Sequence, residues 1–276
     1  MKYVFFGTAE FSRIILDEAI ARGLPPSLVV CNPDRPVGRK KILTPPPVKT
    51  LAEKKSIAVW QPEKLDNHSL LATYDFAVVA AYAKIIPKSV LDAFPKGVIG
   101  VHPSLLPKYR GPSPIQQAIL DGEKKTGITL YLMDEKIDHG KIIAEASCPL
   151  ARNDTYQMAL QNLAELAGKI VAETIPKFFL GDVKPVAQDE KKATYTRKFS
   201  SADAFVEDRD LAEAQGGAQP EKAASIYRTI LALNPEPGVW TLQNGIRTKL
   251  LQAELKNGRL VLVKIQKAGE TPRGAA

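Results

Sequence analysis

Two of the chain's three histidines, His102 and His139, lie in turn-rich stretches where they could do chemistry. His102 ends the apolar run Gly97–Val101 and opens a proline-bounded loop, His102-Pro103-Ser104-Leu105-Leu106-Pro107. A strand that ends on a polar side chain and runs into such a loop is how open α/β sheets present reactive groups at their carboxyl edges. Further along, Ile137-Asp138-His139-Gly140 offers a carboxylate that the fold could bring back to His102. A carboxylate beside an imidazole fixes its tautomer and strengthens its hold on a proton, which suits proton transfer near neutrality. The plain alternative is a packed histidine whose ring nitrogens are satisfied by backbone.

Other common chemistries lack their signatures. The turn Gly7-Thr8-Ala9-Glu10 is neither the GxGxxG of a dinucleotide site nor the GxxxxGK[ST] of a phosphate-binding loop, although N–H groups at the helix start could hold an anion. No HExxH-like spacing occurs, so no metal is expected. Cys31 and Cys148 lie far apart, as in a protein of the reducing cytoplasm. No run approaches the roughly 18 apolar residues of a membrane helix, and Met1-Lys2 leads straight into a strand-like segment, so neither a membrane partner nor an export signal is expected.

The net charge is +8, and its distribution is informative. Arg35, Arg39, Lys40, Lys41 and Lys49 fall in a stretch without an acidic side chain, crowded by Pro36, Pro45, Pro46 and Pro47. Such a segment predicts a stiff exposed loop, not a helix. It reads either as a solvated surface loop or as a braced cluster that loses little entropy on meeting phosphates.

These residues need a scaffold, and 276 residues, 45% of them hydrophobic, can build one large or two ordinary domains. Lys2–Phe6, Leu28–Cys31, Ala58–Trp60 and Phe76–Ala80 predict strands, continuous in apolar character and separated by helices over Glu10–Arg22 and Val48–Lys55. That pattern implies an α/β domain with a doubly wound, mostly parallel sheet. After Val98–Val101 follow a helix at Pro114–Leu120, a strand at Gly127–Met133, another through Ile143, and a long helix over Asp154–Phe179.

The polar segment that follows reads as a linker, placed at residues 186–200 between a first domain, 1–185, and a second, 201–276. Ala212–Gln219 reads as a flexible bridge into a helix over Glu221–Leu231. Val239–Leu242, Arg247–Glu254 and Arg259–Lys267 predict strands split by the hairpin signals Asn244-Gly245 and Asn257-Gly258, hence a small β-barrel. Lys249, Lys256, Arg259, Lys264 and Lys267 favour an accessory nucleic-acid surface on it.

The string from His102 through Pro107, with Tyr109-Arg110-Gly111, Pro114-Ile115-Gln116, Asp121-Gly122, Thr126-Gly127 and Ile137-Asp138-x-Gly140, resembles the folate-dependent formyltransferases, most closely those acting on methionyl-tRNA. The resemblance extends to Phe6–Phe11, Asn32–Arg39, Pro47-Val48-Lys49, Gln61-Pro62-Glu63, Ala81–Pro87, Ala193-Thr194-Tyr195 and Gly238-Val239-Trp240. It implies a Rossmann-like catalytic domain followed by an OB-like barrel. It also implies a cytoplasmic, monomeric enzyme of translation initiation that moves a formyl group from 10-formyltetrahydrofolate to the amino group of initiator methionyl-tRNA.

By the same resemblance, His102 lies near the developing oxyanion or the leaving folate nitrogen, and Asp138 orients it and accepts a proton. Ser104, Leu105, Leu106 and Pro107, with Tyr82, Ile85, Ile86 and Pro87 opposite, take the pteridine. Arg35, Arg39, Lys40 and Lys41 meet the tRNA. Arg110 either positions the loop or meets an anion, and His139 lies at the surface or behind the residues that act. The tail Glu270–Ala276 is short for the family, so the last barrel edge is expected to be weakly covered.

One departure falls on the critical position. The family's pattern is Asn-x-His, the asparagine polarising the formyl group, and here its place is held by Gly100. Deleting one oxyanion donor typically costs about 10²–10³ in rate. The resemblance therefore implies binding with slow transfer, an ordered water in the vacated space recovering part of the loss. Two other readings stand beside it: a formyltransferase for nucleotide-linked amino sugars, which needs no basic loop, and a non-catalytic folate- or tRNA-binding homologue.

Overall fold

Residues 1–38, 40–65 and 68–275 are described by a computed structural model. Its element order begins with β1 (Tyr3–Gly7), α1 (Glu10–Ala21), β2 (Leu28–Val30), β3 (Arg35–Val37), β4 (Ile42–Thr44), α2 (Pro47–Lys54), β5 (Ala58–Trp60), α3 (His68–Leu71) and β6 (Phe76–Ala80). It continues with α4 (Lys88–Leu91), β7 (Val98–His102), α5 (Pro114–Leu120), β8 (Lys125–Leu132), β9 (Ile142–Pro149) and α6 (Tyr156–Phe179).

Seven of these strands form one sheet in the order β5-β2-β1-β6-β7-β8-β9. The strands from β5 to β7 run parallel, and β8 lies antiparallel to β7. β1 and β7 are buried at every position, which is why neither alternates polar and apolar residues. One face is covered by α1 through Phe11, Ile14, Ile15, Leu16 and Ala19. On the other, Phe6, Tyr82, Val90, Phe94 and Val98 join one apolar cluster. The register Phe6↔Val79 and Val79↔Gly100 aligns the carboxyl ends of β1, β6 and β7, so Thr8, Ala81 and His102 emerge along one edge. A Cβ at Gly7 would meet Ser12 Cβ at 2.6 Å, so glycine is what lets β1 turn so tightly into α1.

The chain divides into two compact units. One holds Met1–Arg110, Thr126–Cys148 and Leu160–Tyr195; the other holds Gly111–Lys125, Pro149–Ala159 and the chain from Thr196 onward. Two central stretches that sequence reading placed in the first domain thus group with the second unit.

The second unit contains α7 (Asp208–Gly216) and α8 (Pro220–Leu233), with strands β10 (Trp240–Gln243), β11 (Ile246–Lys256), β12 (Arg259–Lys267) and β13 (Arg273–Gly274) in an antiparallel sheet. Both predicted hairpin turns are present, with Asn244-Gly245 and Asn257-Gly258 all in the left-handed region. Trp240 of β10 also forms a parallel bridge with Phe205, so β10 is paired beyond β11, and the described strands give a four-stranded antiparallel sheet at the place of the expected OB-like barrel. The tail supplies β13, which pairs with β12 at Lys264 and Ile265 and is extended by Ala275 N donating to the Val263 carbonyl at 3.1 Å.

The expected flexible bridge at Ala212–Gln219 is largely helical, as α7 runs to Gly216. Ala212, Glu213, Ala214 and Gln215 are strong helix formers, Gly217 closes the helix at φ +80°, and Lys222 binds Asp210 at 2.7 Å and Glu213 at 2.6 Å.

Candidate active site

His102 is the last residue of β7, buried, and paired across the sheet with Thr129. Its Nε2 lies 2.8 Å from the backbone oxygen of Tyr109. A carbonyl only accepts, so Nε2 carries the proton and Nδ1 is the nitrogen left for chemistry. Nδ1 faces Asp138 Oδ2 at 3.5 Å, and it can donate to that carboxylate only when the ring carries a proton on both nitrogens. The structure thus brings together the histidine and the carboxylate singled out in sequence. One ring nitrogen of His102 is thus satisfied by backbone, and the other faces a carboxylate.

Asp138 is fixed from several sides. Its backbone is left-handed at φ +49°, a conformation that aspartate tolerates better than most residues. Oδ1 accepts a 2.7 Å hydrogen bond from the Tyr131 hydroxyl. Gln188 Nε2 donates to the carbonyls of Asp138 at 2.9 Å and Gly140 at 2.8 Å. Gly140 itself admits no side chain, because a Cβ there would fall 1.6 Å from the Leu132 carbonyl oxygen. His139 turns away, its Nδ1 on Asp134 Oδ2 at 2.6 Å.

Gln188 is held in turn by Arg110, which is fully buried. Arg110 donates through Nε (3.1 Å) and Nη2 (2.7 Å) to Gln188 Oε1, to both carboxylate oxygens of Glu190, and through Nη1 to Tyr195 Oη at 3.1 Å. The hydrogen bonds to Glu190 push the guanidinium's proton affinity further up, and they hold the Glu190 carboxyl below the usual carboxylate range. Of the two roles open to Arg110, this geometry is that of positioning. The polar segment read as a linker therefore straps the Asp138 turn. Gln188, Glu190 and Thr194 went unrecognised as site residues; polarity was the signal at Gln188 and Glu190, while Thr194 lay in the Ala193-Thr194-Tyr195 string that carries part of the resemblance.

The loop after His102 is closed by its own hydrogen bonds. Thr129 Oγ1 donates to the Ser104 carbonyl at 2.7 Å and accepts from Leu106 N at 3.0 Å; Ser104 Oγ donates to Lys108 O at 2.6 Å. Tyr109 N donates to Thr194 Oγ1 at 2.8 Å, fixing Tyr109 in its left-handed conformation. Gly127 leaves room for Leu105, whose Cδ2 would lie 2.5 Å from a Cβ at that position. Leu106 is buried, while Leu105 and Pro107 are partly exposed. In the β6 segment Tyr82 and Ile86 belong to the core cluster, whereas Pro87 is exposed and Ile85 is 93% exposed.

Gly100 differs from expectation. Its position opposite Tyr131 on β8 is covered by the tyrosine ring, and a Cβ at Gly100 would meet Cε1 and Cζ at 2.4 Å and the hydroxyl at 2.7 Å. The space read as vacated, with room for an ordered water, is filled by an aromatic side chain.

The basic segment folds as a hairpin of β3 and β4, with Gly38 and Lys41 in left-handed conformations at its tip. It stands out from the surface with Arg35, Lys40, Lys41, Val37, Ile42 and Leu43 all exposed. Arg39 lies outside the described residues. Lys49 is not part of this surface, since it pairs with both oxygens of Asp34 at 3.0 Å, and Gln61 with Lys49 keeps that carboxyl below its usual range. Among the described residues no cluster of histidine, cysteine, aspartate and glutamate is arranged to hold a metal, and no helix is long and apolar enough to cross a membrane.

Comparison with known proteins bears on this arrangement. The model of the formyl transferase family matches residues 1–175. The methionyl-tRNA formyltransferase of Halalkalibacterium halodurans is 41% identical over 259 residues, covering 92% of this chain and 78% of that protein. The solved methionyl-tRNA formyltransferase from Clostridium thermocellum superposes with a TM-score of 0.61 at 20% identity, over 97% of this chain and 98% of that one. An N-formyltransferase from Helicobacter canadensis, solved with folinic acid and dTDP-3-aminofucose, gives 0.66 at 21% identity, over 93% and 88%. These last two likenesses concern the fold. On the family match and the identity across most of both chains, this chain belongs to the formyl transferase family.

Proposed function

We propose that this chain transfers a formyl group from 10-formyltetrahydrofolate to the amino group of initiator methionyl-tRNA. The observation that carries the reading is the buried His102–Asp138 pair at the carboxyl edge of the sheet, with Nε2 engaged by backbone and Nδ1 turned to the carboxylate. The identity to methionyl-tRNA formyltransferases and the protruding basic hairpin favour tRNA over a nucleotide-linked sugar as acceptor.

The residues present suit a flat, polar-edged heterocycle. Ile85 offers an exposed apolar surface beside Ile86 and Pro87, and the buried Tyr82 hydroxyl and Asn32 Oδ1 have no hydrogen-bond partner among the described residues. We assign Tyr82, Ile85, Ile86, Pro87 and Ser104–Pro107 to folate binding, and Arg35, Arg39, Lys40 and Lys41 to the tRNA. When bound, 10-formyltetrahydrofolate supplies the formyl carbon and a nitrogen leaving group. As the acceptor amine forms its bond to that carbon, the His102–Asp138 pair takes up the proton the amine loses. As the bond to the folate nitrogen breaks, the pair returns a proton to that nitrogen. Asp138 keeps the imidazole oriented throughout, and the Arg110–Gln188 strap keeps Asp138 in place. Transfer of labelled formyl to methionyl-tRNA, run beside a nucleotide-linked amino sugar, tests the assignment.

A further inference from the structure

The ring of Tyr131 sits over Gly100 and is buried on β8. Its hydroxyl lies 2.7 Å from Asp138 Oδ1, and the other oxygen of the same carboxylate faces His102 Nδ1 at 3.5 Å. Three side chains from two neighbouring strands and one turn thus form a continuous chain, Tyr131–Asp138–His102. We propose that Tyr131 is a positioning residue that sets the Asp138 carboxylate against His102, and that glycine stands at position 100 to admit its ring. The polar side chain at this point of the sheet then comes from β8, not β7.

Three further observations support this. Burial, and then the neighbouring Asp138 charge, push the phenol's ionisation well above its ordinary range, so the hydroxyl remains a donor at every pH at which the protein works. A carboxylate at a left-handed turn has two oxygens to satisfy, and a hydroxyl donor on one leaves the other directed at the imidazole. The ring keeps this place only with glycine at position 100, because even a methyl group there would lie 2.4 Å from two of its carbons and the ring would have to shift.

Two single variants separate the two halves of the claim. Tyr131→Phe keeps the ring over Gly100 and deletes only the hydroxyl; Gly100→Ala keeps the hydroxyl and displaces the ring. In each, kcat for formyl transfer is expected to fall on the order of tenfold with KM changed by less than about twofold. The side-chain ¹⁵N signals of His102, identified among the three histidines by their loss in His102→Gln, are expected to move in both. Unchanged kcat together with unchanged His102 signals in Tyr131→Phe would overturn the proposal. So would a fall in kcat that leaves those signals in place, since the effect would then arise elsewhere. The kinetic arm rests on the functional reading above, whereas the spectra do not. A wild-type chain that forms no formyl-methionyl-tRNA would refute that reading and leave the positioning of His102 to be decided by the spectra.

Discussion

The guanidinium of Arg110 donates twice to the side-chain oxygen of Gln188, at 2.7 and 3.1 Å, and the amide nitrogen of Gln188 in turn grips the Asp138 carbonyl at 2.9 Å. A residue in the loop after β7 thereby governs a carboxylate on the turn after β8, by way of a segment late in the chain. Gln188→Leu removes the middle link without removing charge. It is expected to lower kcat about tenfold and to destabilise the fold by about 1–3 kcal/mol, the cost of leaving buried donors and carbonyls unpaired. Steady-state kinetics and urea unfolding check both.

The same strap predicts a pH dependence. Arg110 holds the Glu190 carboxyl below its ordinary range, so the folded state binds this proton less readily than the unfolded chain. The contribution of the pair to stability is then complete above the unfolded carboxylate pKa of about 4.3 and is lost as pH falls through the lower folded value. The melting temperature of wild type is expected to exceed that of Glu190→Gln by a constant margin above about pH 5, and the margin to shrink below about pH 4. A margin that stays constant down to pH 3 would contradict this.

Gly140 leaves no alternative. With a Cβ predicted 1.6 Å from the Leu132 carbonyl, Gly140→Ala must move backbone in β8 or in the Asp138 turn. We expect a loss of about 1–3 kcal/mol or more in chemical denaturation, with transfer activity lost in the fraction that folds.

Much of this was legible in the residues themselves. The unbroken apolar runs of β1, β6 and β7 predicted a parallel sheet, and the loop after His102 marked its carboxyl edge, because both are local consequences of burial and turn chemistry. The pairing of Asn-Gly turns with hairpins was equally local. What escaped were long-range relations. Nothing near Gln188 or Glu190 in sequence points to Arg110, some eighty positions earlier by the separations of 78 and 80 residues, and a polar stretch looks the same whether it links or straps. Gly100 and Tyr131 likewise make sense only together, as partners across two strands. The α7 segment was misjudged because its two terminal glycines outweighed the helix formers before them, although Gly217 merely closes the helix.

The cysteines are expected to differ in reactivity. Cys31 is buried, and burial pushes its thiol up to about 11, whereas Cys148 is partly exposed. Iodoacetamide at pH 8 is expected to label Cys148 alone in the folded chain and both residues in denaturant, since the thiolate is the nucleophile. Mass spectrometry of tryptic peptides reads the result.

The basic hairpin has a signature of its own. Arg35→Ala, Lys40→Ala and Lys41→Ala are each expected to raise KM for methionyl-tRNA while leaving KM for the folate unchanged, and each to reduce the slope of log affinity against log salt by about one. Equal effects on both substrates would place the hairpin's role in folding and not in tRNA contact.

The most direct test of the central claim compares formyl transfer from 10-formyltetrahydrofolate to methionyl-tRNA by wild type, Asp138→Asn and Gly100→Asn, with folate binding measured in parallel. Wild type is expected to form product and Asp138→Asn to retain folate binding while losing at least about 10²-fold in kcat, the usual contribution of acid–base catalysis. Gly100→Asn is expected to be no faster than wild type, because the Tyr131 ring occupies the place its amide would need. Undiminished turnover in Asp138→Asn would contradict the account.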